Sequence, residues 1–398
     1  MAFRKRNVVL SRPDHTSESP SSPSSPSTPE IAPSSPGVRP SPIDGRPTTS
    51  TGTPSLDALL AGHAGLPLGN SILIGETGTT DYAGALVRFY AAEGVVQGHY
   101  VHVVGMGEGW GRELPGISES KEESRRREKD EKMKIAWRYE GLGEFGSNRG
   151  PNRIPAQTTT QNSTDASPTI FCHTFDLAKR LSHPSTHPPL SYIPIPSSRT
   201  TTTPSLIPIL HSLQTSLATT PPHTIHRLVL PSLLSPALYP PSTSHPHTLL
   251  PFLHALRALL RAHPTRLTAL ITLPLTLYPR STGLIRWTEH LSDAVFELSP
   301  FPYNSAQILA SSGAATKEED KPQGLFAVHK LPVWSEKGGG SVVEGLGEDL
   351  AFSLSRRRFV VQKFSLPPVE GDAEAQGQHG EGAKEHEGKL PRKEDLEF

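Results

Sequence analysis

Gly75-Glu76-Thr77-Gly78-Thr79-Thr80-Asp81-Tyr82 follows the apolar run Ser71-Ile72-Leu73-Ile74. It opens a segment, residues 81–93, that carries Leu86, Phe89 and Tyr90 on one helical face. Strand, glycine turn and helix in that order define a phosphate-loop corner. A working loop reads G-x-x-x-x-G-K-[ST]. Its backbone amides cradle the phosphates, the lysine neutralises them and the hydroxyl holds Mg²⁺. Gly75 stands at the first position and Gly78 inside the loop, but Thr80 replaces the second glycine, Asp81 the lysine and Tyr82 the hydroxyl. A lysine about 4 Å from a phosphate gains about 4 kcal/mol at an effective dielectric of 20. Asp81 reverses that sign. It fits better as the first residue of a helix, where a carboxylate satisfies free amides and the dipole. The degenerate loop is therefore a structural corner without the lysine or the metal ligand of a self-sufficient ATPase.

Working outward, Gly94 and Gly98 end the helix and Tyr100-Val101-His102-Val103-Val104 forms a second strand. Strand, helix and strand over about 35 residues make a βαβ unit and hence a parallel sheet. The second ATPase signature is an apolar strand ending in Asp, which orders Mg²⁺. Its candidate, Leu228-Val229-Leu230, runs into Pro231-Ser232 with no carboxylate. Leu206, Ile209, Leu210, Leu213 and Leu217 fall on one helical stripe, as do Leu249, Leu253, Leu256 and Leu260. Strands are expected at 227–230, 267–273 and 294–298, and a helix at 284–291. Later strands at 324–331 and 359–364 read as antiparallel additions. This alternation predicts a three-layer α/β domain with a mainly parallel central sheet.

The chain has 398 residues, of which 34% are hydrophobic and 41 are proline, about twice the usual share. A folded core is thus diluted by low-complexity sequence. Residues 1–36 read as a disordered Ser/Pro-rich arm and 370–398 as a disordered charged tail. The domain spans 37–369, with low-complexity insertions at about 117–132, 140–168, 182–204 and 311–322. Thirty-nine basic and 39 acidic residues cancel, so any nucleic-acid surface must be local. Cys172 is the sole cysteine. It excludes an intrachain disulfide and reads as a buried structural thiol in a reducing compartment. No apolar run approaches the ~18 residues of a membrane span. No hydrophobic region follows Met1–Arg6, so a secretory signal is not expected. A soluble cytoplasmic and nuclear protein is expected.

Other motifs are weaker. Gly105-Met106-Gly107-Glu108-Gly109-Trp110-Gly111 fails G-x-G-x-x-G and reads as a loop after the second strand. Glu108 is a conceivable catalytic carboxylate, but nothing poises a phosphate for it. His183/His187 and His245/His247 lie in Pro-rich loops without cysteine, so no metal site is expected. Two basic groups have the character of phosphate contacts: Arg280 and Arg286 around Ser281-Thr282-Gly283, and Arg356-Arg357-Arg358 before Phe359. The competing reading of both is a solvated face or internal ion pairs.

The sequence resembles subunit 4 of the eukaryotic Elongator complex. The resemblance rests on Gly37-Val38-Arg39-Pro40-Ser41, Ser50-Thr51-Gly52-Thr53-Pro54-Ser55-Leu56-Asp57, Gly65-Leu66-Pro67-Leu68-Gly69 and Ala92-Glu93-Gly94-Val95. It continues through Lys134-Ile135-Ala136-Trp137-Arg138-Tyr139, Phe171-Cys172-His173-Thr174-Phe175-Asp176-Leu177, Arg227-Leu228-Val229-Leu230-Pro231-Ser232-Leu233 and Leu354-Ser355-Arg356-Arg357-Arg358. These segments run in order over residues 37–367. The resemblance implies a RecA-like fold without the usual ATPase motifs. It implies assembly with Elongator subunits 5 and 6 into a ring holding two copies of each, alongside the catalytic assembly of subunits 1 to 3. It also implies tRNA binding by the ring in support of wobble-uridine modification. No cofactor is expected to be intrinsic; ATP is expected, if anywhere, at ring interfaces. The alternative is an active RecA-like ATPase with a non-standard loop.

Overall fold

The computed structural model describes residues 35–118, 170–182, 190–195, 206–302, 321–332 and 350–364. Its main sheet has nine strands and is built around the expected corner. Strand β4 (Ser71–Glu76) is central and is flanked by β10 (Leu267–Pro274) and β11 (Ala294–Pro300), both parallel to it. Beyond β10 lie β9 (His226–Leu230), β5 (Tyr100–Val104) and the short edge strand β8 (Ser191–Ile193), again parallel. Beyond β11 the chain adds β12 (Gly324–Lys330), β13 (Leu350–Leu354) and β14 (Phe359–Lys363), each antiparallel to its neighbour. The order is β14-β13-β12-β11-β4-β10-β9-β5-β8. Strand β8 falls inside the stretch 182–204 that composition alone reads as an insertion. Three residues are too few to stand out from their Ser/Pro-rich surroundings.

Two smaller sheets are present among the described residues. Strands β1 (Val38–Pro40), β2 (Pro47–Thr49) and β3 (Leu66–Pro67) form an antiparallel trio. Strands β6 (Pro115–Ile117) and β7 (Phe175–Arg180) form an antiparallel pair.

Helices cover both faces of the main sheet, because its strands are apolar on both sides. Alternate residues feed two cores. Ile72, Ile74, Val101, Val103, Val229, Leu270 and Phe296 pack with helix α2 (Tyr82–Val96) and with α1 (Pro54–Leu59). Leu73, Val104, Leu228, Leu230, Ala269, Ile271 and Val295 pack on the other side with α4 (Ile207–Thr219), α5 (Pro246–Ala262) and α6 (Gly283–Leu291). A five-residue helix, α3 (Glu108–Arg112), follows β5. The expected three layers are therefore present, with the phosphate-loop strand in the middle of the sheet.

Among the described residues no helix is long and apolar enough to cross a membrane. Of the insertions expected at about 117–132, 140–168, 182–204 and 311–322, residues 119–132, 140–168, 183–189, 196–204 and 311–320 lie outside the described residues, as do residues 1–34 of the arm, the tail and the segment 134–139.

Candidate functional site

The corner between β4 and α2 sits where a RecA-like domain would hold phosphates. Its chemistry is supplied by Glu76, the last residue of β4, which sequence reasoning passed over because position two of the motif accepts any residue. The side chain is almost wholly buried, at 7% exposure. Its Oε1 accepts from the Thr80 hydroxyl at 2.7 Å and from the Tyr82 N–H at 3.0 Å, and its Oε2 accepts from the Ala83 N–H at 2.8 Å. Burial pushes the carboxyl above its ordinary range, more than the bonds from Ala83, Thr80 and Tyr82 pull it back.

Asp81, in contrast, makes no capping hydrogen bond, although it is the residue before the helix. This corrects the sequence expectation. Its carboxylate turns back along α2 to Arg88, with an oxygen 3.5 Å from the guanidinium. Gly84 makes this possible: a Cβ there would lie 2.1 Å from the Asp81 carboxylate. Tyr82, in the place of the metal-binding hydroxyl, packs its ring edge-on to Phe352, with centroids 4.9 Å apart. It acts as an apolar wedge between α2 and the sheet.

The remaining loops at this end of the sheet are tied to one another. The Gly78 N–H donates to the Thr276 hydroxyl at 2.8 Å, which in turn donates to the Gly78 carbonyl at 3.0 Å. The Thr77 N–H donates to the Leu298 carbonyl at 3.0 Å. Beyond β9, the Ser232 N–H donates to the Thr272 hydroxyl at 2.7 Å, where a RecA-like ATPase would present its metal-ordering carboxylate. The Tyr278 hydroxyl donates to the Leu234 carbonyl at 3.0 Å. Glu108 is exposed at the start of α3 and lies 3.8 Å from Arg112.

The basic candidates divide. Arg280 is held by carboxylates: its guanidinium forms a two-pronged pair with Glu289 and reaches Glu297 at 3.2 Å. The Glu289 bond, ahead of other influences, raises its pKa further. His329 completes the group, 2.8 Å from Glu297. Arg286 is exposed on α6, next to Trp287, which is 54% exposed. Arg356, Arg357 and Arg358 form the exposed turn between β13 and β14. Arg356 donates to the buried Asp176 at 3.0 Å, and Arg357 lies 3.8 Å from the same carboxylate. Burial opposes ionisation of Asp176, but the Ala178 N–H and the two arginines hold it below the usual range.

A second polar centre, at the opposite end of the strands, was not legible from the sequence. Arg227 is fully buried at the start of β9. It donates to His99 Nδ1 at 3.0 Å, to the carbonyls of Ser50 (2.9 Å) and Tyr90 (3.0 Å), and to the Thr49 hydroxyl at 2.7 Å. A Cβ on Gly94 would lie 2.7 Å from its Cδ, so the glycine clears the path of the side chain. Asp57 accepts from the Ser50 hydroxyl and from both the N–H and hydroxyl of Thr51. Glu93 accepts from Gln97 and from the N–H of His173. Both carboxylates favour the buried cation, against the desolvation that lowers its pKa. Cys172 lies alongside, half-buried rather than fully buried, with its thiol pushed up to about 12 by burial. It is not poised as a nucleophile. Among the described residues no group of three or more His, Cys, Asp or Glu side chains is placed to hold a metal. His183 and His187 lie outside them.

The strand order, the two-sided helical cover and the corner after the central strand define a RecA-like α/β domain with a degenerate phosphate loop. The chain belongs to the PAXNEB protein family, whose model matches residues 31–398, the family that includes Elongator complex protein 4. It is 35% identical to Elongator complex protein 4 of Schizosaccharomyces pombe, over 80% of this chain and 84% of that one. It is 29% identical to the Saccharomyces cerevisiae protein of that name (81% and 75% covered) and to the human one (79% and 76%). Among solved structures it is similar to a KaiC-like protein of Pyrococcus horikoshii, with 14% identity, a TM-score of 0.37 and coverage of 79% and 98%.

Proposed function

We propose that this chain is a non-catalytic structural subunit of the Elongator complex. In this reading it assembles with subunits 5 and 6 into a ring of two copies each, which binds tRNA. The ring thereby supports the wobble-uridine modification carried out by the catalytic subunits 1 to 3, in cytoplasm and nucleus. The observation that carries the non-catalytic part is the mouth of the sheet. Asp81 and Tyr82 stand where lysine and the metal-binding hydroxyl belong, and Ser232 follows β9 without a carboxylate. A response of the assembly to ATP would then require a neighbouring subunit to supply the missing groups at an interface.

Arg286 is the preferred tRNA contact, because Arg280 is already committed to Glu289 and Glu297. In the co-purified assembly, Arg286→Glu is expected to weaken tRNA binding and to reduce the slope of log affinity against log salt by about 1. Native mass measurement should show the ring intact. Unchanged affinity at low salt would remove Arg286 from the interface. Failure to co-purify with subunits 5 and 6 would remove the ring reading itself.

A further inference from the structure

We propose that the Glu76 carboxylate is a resident anion that fills the phosphate cradle, so that the corner is silenced by occupancy. The donor set beneath it is the one an oxyanion would use. Two backbone N–H groups of the first turn of α2, from Tyr82 and Ala83, converge with the Thr80 hydroxyl on the two carboxylate oxygens, all within 3.0 Å. Such groups at a helix start bind phosphate readily, because free N–H donors and the helix dipole act together.

Ordinary capping does not account for the arrangement. A cap comes from the residue just before the helix, and that residue, Asp81, makes no capping hydrogen bond and pairs instead with Arg88. The occupant comes instead from the end of β4, six residues upstream of Tyr82. Its burial removes it from water, and the neighbouring loop is latched by Thr276 on both sides of Gly78. The corner thus contains an autoinhibitory contact: a carboxylate from the same chain competes with any external oxyanion at the high effective concentration of an intramolecular group. Removing Glu76 should open this corner to inorganic phosphate; the Asp81 charge still reaches the corner and opposes this, but its pairing with Arg88 offsets part of that repulsion.

The test is rescue of stability by an anion, with inorganic phosphate as the probe. Thermal unfolding of the full chain, alone or in its co-purified assembly, is compared in chloride and in phosphate at matched ionic strength. The proteins are wild type, Glu76→Ala and Thr276→Val. The last loosens the same mouth while leaving Glu76 in place, and so reports the general stabilisation that phosphate gives any fold. Glu76→Ala should melt several degrees below wild type in chloride. Phosphate should restore at least half of that gap beyond the increment seen for Thr276→Val. Equal increments for the two variants would overturn the proposal. If Glu76→Ala does not fold, Glu76→Thr keeps a strand-forming residue at the end of β4 while shortening the side chain clear of the cradle. Backbone amide exchange at Tyr82 and Ala83 should then be faster than in wild type in chloride and slower again in phosphate. Exchange unaffected by phosphate would equally overturn it. Measured on the full chain alone, neither readout involves tRNA or ring assembly, so the result is independent of the function proposed above.

Discussion

The two ends of the main sheet treat buried charge in different ways. At the mouth, the Glu76 carboxylate is satisfied by neutral donors of its own turn, and burial, with the Asp81 charge adding to it, holds the carboxyl above its usual range. At the opposite end, a lone guanidinium, Arg227, is satisfied by acceptors from three separate segments, with two carboxylates nearby. The first arrangement is local and can be removed with a limited loss. The second binds the chain together: Ser50 and Thr49 come from the β2 side, Tyr90 from α2, His99 from the turn after it and Arg227 from β9. A fold whose phosphate-loop corner lacks the lysine and the metal-binding hydroxyl at one end keeps a demanding polar core at the other, because that core holds elements in register and does not depend on a ligand.

The largest effect expected from breaking this comparison is at Arg227. Arg227→Met leaves the buried Asp57 and Glu93 without their cation and should cost about 3–5 kcal/mol. Arg227→Lys keeps the charge but not the four-way fork and should fall between the two. Denaturant midpoints measure both, and a loss below about 1 kcal/mol for Arg227→Met would show that the knot is ornamental.

Next in size is an acid sensitivity that belongs to the same end. His99 and His226 are held to about 3 and His102 to about 4, chiefly by burial, with Arg227 also acting on His99. Their folded values lie below the usual 6.5, so the folded state refuses protons that the unfolded chain accepts. Stability is complete above about pH 6.5 and falls below it, by about 1.4 kcal/mol per pH unit for each histidine, until the folded values are reached. His226 sits in a chain of contacts, 2.9 Å from His102 and 2.8 Å from the Thr220 hydroxyl. His226→Gln should remove about one proton's share of the slope between pH 6.5 and 5. An unchanged slope would place the titration elsewhere.

The mouth gives the smaller effects. Glu76→Ala should cost about 1–2 kcal/mol, through the unpaired Tyr82 and Ala83 N–H groups. Thr276→Val should cost about 1 kcal/mol or less, since it removes only the latch on Gly78 in a partly solvated loop. If Thr276→Val proved worse than Arg227→Met, the contrast between a local end and a binding end would be reversed.

Much of the fold was legible because periodicity records burial. Strands apolar on both faces, such as Leu228-Val229-Leu230, and the leucine stripe of α5 each announce their surroundings. The loss of lysine at Asp81 and of a carboxylate after Leu230 was legible for a related reason, since a motif fixes residue types at fixed spacing. Glu76 was not legible, because its position in that motif is unconstrained and its role depends on the direction its side chain takes. The assignment of Asp81 as the helix cap failed on the same ground: local preference favoured it, but Arg88 competes for its carboxylate and Glu76 reaches the amides first. Of the two arginines around Ser281, spacing alone could not say that Glu289 and Glu297 would take up Arg280 and leave Arg286 exposed.

The phosphate-loop corner, the alternation of strands and helices and the family segments were determined by the sequence itself, because each is a statement about neighbours along the chain. That Ser50–Asp57, Ala92–Val95, Phe171–Leu177 and Arg227–Leu233 meet at one buried cation was decided only by the tertiary structure, as was the entry of Glu76 into its own cradle. Both depend on which charged group is nearest once the sheet has formed. Electrostatic partners are chosen by distance in space, and the sequence carries no record of that distance.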